Sequence, residues 1–141
     1  MGEATGAAGE FAAIGRIARR FGAPPEGELW IGDDAAVVRV GHAAVAVAAD
    51  AVVAGVHADL RLTSVADLGW KAIAVNVSDL AAMGLAAGRA VVTVSCPPGT
   101  DLDALYDGIE AAARAFNCPV VGGDLTESPT LVVSVTVVGD A

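Results

Sequence analysis

Two periods of apolar residues alternate along the chain. From Glu10 to Phe21, Phe11, Ile14, Ile17, Ala18 and Phe21 recur at helical spacing with Arg16, Arg19 and Arg20 on the other side, which predicts a short amphipathic helix. Gly22 stops it, and Pro24-Pro25 prevents its resumption. Ala36 to Val40 and Ala43 to Ala49 read as two strands joined at Gly41-His42, the second ending at Asp50. Residues 51–62, with Gly55 and His57 among them, are expected to be irregular. Thr63-Ser64 caps a long helix, with Asp67 in the capping-box place, and Gly84 ends it. Ala90 to Ser95 is a strand, and Pro97-Pro98-Gly99 a turn. Thr100 or Asp101 caps a second long helix that runs to Phe116 on the stripe Leu102, Leu105, Ile109, Ala112 and Phe116. Val120-Val121 is a short strand entering Gly122-Gly123-Asp124, and Leu131 to Val138 is the strongest strand of all.

That last run is apolar or β-branched on both faces, and Ala90 to Val94 is nearly so, as in strands covered on both sides. The expected fold is α/β (or α+β), a mixed sheet of about four or five strands. The two long helices cover one face. No further layer is present for the other, which is expected to meet a second copy of the chain in a homodimeric barrel; the alternative is a second domain lying over it.

With 141 residues, 55% of them hydrophobic, one compact domain is expected. The net charge of −9, from 8 basic against 17 acidic residues, excludes general nucleic-acid binding, because a phosphate backbone rewards Lys and Arg. No apolar run reaches the length of a membrane span. Met1 to Gly6 lacks the basic start and apolar run of a secretory signal and reads as a frayed terminus, so a cytoplasmic location is expected. Cys96 and Cys118 lie far apart without metal-ligand spacing and read as small apolar fillers. The sequon Asn76-Val77-Ser78 falls inside an apolar helix and carries no meaning there.

One acid breaks the pattern of the long helix. Asp79 shares its stripe with Ile73, Asn76, Leu80 and Met83, so it is expected to be buried, and Lys71 has a more natural partner in Asp67 four residues before it. A buried carboxylate without a paired charge is costly, which points to a metal ion. Asp33 and Asp34 after Gly32, Asp50 at a strand end and Asp124 after Gly122-Gly123 are further acids at element ends. Each alone is an ordinary turn or cap residue. Together, with no His or Cys cluster, they suit a hard cation such as Mg²⁺, commonly held by a few carboxylates and nucleotide phosphates. Gly122-Gly123 would let a phosphate approach the backbone. No Walker-A or protein-kinase glycine loop occurs. His42 reads as a surface turn residue; His57 could donate to an anionic substrate or have no role.

Five motifs then occur in order: Gly9-Glu10-Phe11, Ile31-Gly32-Asp33-Asp34-Ala35-Ala36, Asp50-x-x-Val53-x-Gly55-x-His57, the helix from Lys71 through Asn76-x-Ser78-Asp79-Leu80 to Gly84, and Gly122-Gly123-Asp124-x-Thr126. The set closely resembles the N-terminal half of the thiamine-monophosphate kinase family, within the wider aminoimidazole-ribonucleotide-synthetase-like superfamily. The resemblance implies an α/β domain, residues 1–141, that dimerises through its sheet, with the family's C-terminal domain lying outside this sequence. It implies Mg²⁺ held by Asp34, Asp50, Asp79 and Asp124, with Asp33 the lesser member of its pair. It further implies ATP contacts from Gly122, Gly123, Asp124 and Tyr106, and a contact from His57 to thiamine monophosphate. The implied reaction is transfer of the ATP γ-phosphoryl group to thiamine monophosphate, giving thiamine diphosphate.

Two departures stand out. Ala48-Ala49 occupies the place where such kinases carry hydroxyl residues before the Asp, and Ala58 follows His57 where they tend to have an aromatic. This part alone is expected to be inactive. A non-catalytic dimerisation module, or another ATP-using enzyme of the superfamily, remains an alternative.

Overall fold

The computed structural model describes residues 7–141, so the frayed start expected for 1–6 lies outside the described residues. The chain runs α1 (Ala7–Phe21), β1 (Ala36–Val40), β2 (Ala43–Val53), α2 (Val65–Ala82), β3 (Arg89–Cys96), α3 (Leu102–Ala115), β4 (Val120–Glu127) and β5 (Val132–Asp140). The strands form one mixed sheet in the order β1-β2-β5-β3-β4. Only β3 and β4 are parallel, joined over the sheet by α3; the other neighbours are antiparallel.

The expected fold class is present. Ser64 caps α2 through a reciprocal pair: Asp67 N–H donates to its hydroxyl, and its own N–H donates to the Asp67 carboxylate at 3.1 Å. Asp101 caps α3 by accepting from Ala104 N–H at 3.0 Å. Both helices lie on one face of the sheet and pack against each other through glycine. A Cβ on Gly108 would stand 1.8 Å from the Ala66 carbonyl oxygen, and one on Gly69 would stand 2.3 Å from that of Leu105. No residue but glycine fits a helix contact this close. Leu68, Ile73, Leu80, Leu105 and Ile109 close over Val92, Val94, Val133, Val135 and Val137 to form the core, and both cysteines are buried and free. The amphipathic α1 forms, but Phe11, Ile17 and Phe21 on its stripe are exposed.

Two expectations change. First, β2 continues through Asp50 to Val53, because β5 pairs with it along that whole length, Asp50 opposite Val135. Second, β4 takes Gly122, Gly123 and Asp124 into the strand, pairing them with Val91, Val92 and Thr93 of β3. Within the single chain β3 is buried on its helix side, while Val91 and Thr93 on the other side are exposed. The second face of the sheet is thus open in the single chain.

Candidate functional site

Two acids from other elements lie within electrostatic reach of Asp79. Asp34 lies in the turn before β1, Asp50 in β2, and Asp79 near the end of α2. Asp79 is half-buried, not enclosed as the helical stripe suggested, and burial pushes its carboxyl above the ordinary carboxylate range. The charges of Asp50 and Asp34 push the same way. Lys71 does not relieve this field. Its ammonium donates to the His57 carbonyl at 2.5 Å rather than pairing with Asp67, which is engaged in the α2 cap.

The fully buried polar group of the helix is one turn earlier, at Asn76. Its Nδ2 donates to the Ala72 carbonyl at 2.9 Å and reaches the Asp50 carbonyl at 3.5 Å, while its Oδ1 is buried without a partner. The sequence signal for this residue was an amide in the middle of an apolar stripe, and its role there was missed. Asp50 is fixed on its other side as well, because its carboxylate accepts from Ala51 N–H at 2.8 Å. Asp33 accepts from Asp34 N–H at 2.8 Å and lines a cavity of about 230 Å³ against α1. That hydrogen bond commits one of its carboxylate oxygens to the turn.

A second group gathers at the far edge of the sheet. Gly122, Gly123, Asp124 and Tyr106 line one open cleft of about 380 Å³ with Val92, Val120 and Leu125. Gly123 has a structural reason of its own, since a Cβ there would meet the Val92 carbonyl oxygen at 1.8 Å. Gly122 has none; its nearest neighbour would be Val91 Cγ1 at 3.7 Å. Burial raises the Tyr106 hydroxyl above the ordinary phenol range, so it stays protonated as a donor. β5 and β3 lie between β2 and β4. Three interstrand spacings separate the Asp50 and Asp124 strands by about 14 Å.

His57 turns its Nδ1 inward, where it accepts from Val53 N–H at 2.9 Å, and its ring is exposed. His42 is exposed in its turn. Among the described residues no group of three or more His, Cys, Asp or Glu side chains is placed to hold a metal ion. The donors that do approach one another are carboxylates, and they repel. Two neighbouring carboxylates can supply only part of a Mg²⁺ shell, since the ion takes a few protein oxygens and fills the rest with water and phosphate. No helix among the described residues is long and apolar enough to cross a membrane.

Residues 32–141 match the family of AIR synthase related proteins, N-terminal domain. The thiamine-monophosphate kinase of Mycobacterium tuberculosis strain H37Rv is 40% identical over 135 residues, covering 94% of this chain and 40% of the relative. The solved structure of AaThiL complexed with AMPPCP and TMP superposes with a TM-score of 0.82 at 32% identity, over 94% of this chain and 42% of that one. The thiamine-monophosphate kinase from Stenotrophomonas maltophilia K279a gives a TM-score of 0.66 at 38% identity, again over 94% and 42%. The chain therefore spans about two fifths of the length of these relatives.

Proposed function

This chain belongs to the AIR synthase related family, whose N-terminal domain it carries, and we propose that it is the metal- and nucleotide-holding part of a thiamine-monophosphate kinase. The reaction would be transfer of the ATP γ-phosphoryl group to thiamine monophosphate, in the cytoplasm. The observation that carries the reading is the field at Asp79, whose carboxyl is driven up by burial and by Asp50 and Asp34, with no offsetting cation among the described residues. Similarity to kinases over nearly the whole chain supports it, as does a structural relative whose complex holds AMPPCP and TMP.

Asp34, Asp50 and Asp79 would hold Mg²⁺, which supplies charge neutralisation for the phosphates. The Gly122-Gly123-Asp124 strand and Tyr106 form the open cleft assigned to the nucleotide, with Asp124 available to a second ion there. A phosphate acceptor is ionised at neutral pH, so the residues need supply no general base. Their work is to hold two polyanions in line. His57, in an exposed loop with Nε2 uncommitted, is assigned to thiamine monophosphate. Ala48 sits buried in the core at the position where a hydroxyl ligand would stand, so any ligand from that residue is its carbonyl.

Mg²⁺ with ATP at about a hundred times its Kd should stabilise the wild-type chain by ~2.7 kcal/mol. Asp79→Asn should lose most of that gain in a thermal-shift titration. Equal gains in the two proteins would sink the metal assignment.

A further inference from the structure

Asn76 is the buried polar side chain of the core, fully enclosed on α2 one turn before Asp79. Its neighbours along the helix, Ala72, Ile73 and Leu80, are all buried and apolar. The fold itself has no use for an amide here. One of its two polar atoms is left without a partner, and an apolar side chain of similar size would satisfy the core better. Turning the amide over offers no remedy, because Oδ1 would then face the carbonyl oxygens of Ala72 and Asp50, which Nδ2 now faces.

The amide does one thing a leucine would not. It joins the two elements that carry the acids, since Nδ2 is held by the Ala72 carbonyl of α2 and extends to the Asp50 carbonyl of β2. The bond within the helix is short, at 2.9 Å, and the one across to the strand is long, at 3.5 Å. The link is therefore anchored on the helix and slack toward Asp50. The Asp50 carboxylate is meanwhile turned back on its own strand by Ala51 N–H.

We infer that Asn76 is a positioning residue that sets the distance between Asp50 and Asp79 and so the affinity of this pair for a divalent cation. The inference rests on the metal reading given above. Outer residues of this kind typically change metal affinity about 10- to 100-fold when removed.

The test uses the 141-residue chain, titrated with Mg²⁺ alone and, as a paramagnetic probe, Mn²⁺. Asn76→Leu removes the amide. Asn76→Ser keeps a hydroxyl able to donate to Ala72 but too short to reach Asp50. Both variants should bind the cation about 10-fold or more weakly, while Asn76→Leu without metal melts no lower than wild type. Wild-type affinity in either variant, with binding lost in Asp79→Asn, would overturn the inference and leave the metal site standing. Wild-type affinity in Asp79→Asn would overturn the metal site itself. If neither Asn76 variant folds, the amide is a structural group and the inference fails.

Discussion

A helical stripe places Asp79 among core residues, but only the neighbours of α2 decide which margin of that stripe meets solvent. They enclose Asn76 and leave Asp79 half-open, facing Asp50 and Asp34. Its raised carboxyl has a definite consequence. The folded state holds the proton of Asp79 more tightly than the unfolded chain does, so its contribution to stability is full below the ordinary carboxylate pKa and is lost as pH rises through the raised one. Without metal, Asp79→Asn should melt higher than wild type at neutral pH, by on the order of 1–3 °C, the small size reflecting solvent screening. The gap should close as the pH falls toward about 4. Melting curves in a chelator at several pH values would show this. A variant that melts lower than wild type at neutral pH would mean that the acid is not under repulsion.

Among elements, the contact between α2 and α3 depends on glycine more than on side-chain interlock. Gly108→Ala would drive a methyl group into the Ala66 carbonyl, and a loss of about 1–3 kcal/mol is expected in denaturant unfolding. The β4 pair separates structure from ligand. Gly123→Ala should also damage the fold, whereas Gly122→Ala should stay within about 0.5 kcal/mol of wild type. A weakened Mg²⁺–ATP thermal shift in a well-folded Gly122→Ala would assign that glycine to the nucleotide; an unchanged shift would remove it. The helices, their caps and the strand cores were legible because their signals are local, as with Ser64, Asp67 and Asp101. The ends of β2 and β4 were not. Gly122-Gly123-Asp124 has the composition of a turn, and only pairing with β3, a segment about thirty residues away, makes it a strand. The site was legible in the same uneven way. The acids were visible as residue types, but whether a loop, a strand and a helix bring them together depends on the sheet order, and that order places Asp124 at the opposite edge.

At the scale of the whole molecule, the open face of the sheet is the largest unfinished feature. Valines and threonines at alternate positions face it, among them Val47 on β2, Thr136 and Val138 on β5, and Val91 and Thr93 on β3. Val91 is 42% exposed, at a register position between Thr136 and Gly122. A β-branched surface of this kind, continuous across neighbouring strands and with its charges at the margins, Arg89 opposite Val138, Asp140 opposite Val45 and Asp124 opposite Thr93, suits sheet-to-sheet packing. Sequence pattern alone called for cover here, and two copies meeting through this face would provide it in a symmetric way, each presenting the same strands to the other. Val91→Glu tests this without touching the helix side. The residue lies on the exposed side of β3, so the fold should keep its melting temperature within about 2 °C. In a dimer the new carboxylate would be desolvated beside its symmetry mate on a chain already carrying a net charge of −9, a combination that opposes association. Sedimentation of the wild type should therefore depend on concentration, with a dimer at the upper end, and Val91→Glu should sediment as a monomer throughout. A wild type that is monomeric at every concentration would leave the face to a second domain instead, and a Val91→Glu that dimerises as the wild type does would move the interface elsewhere.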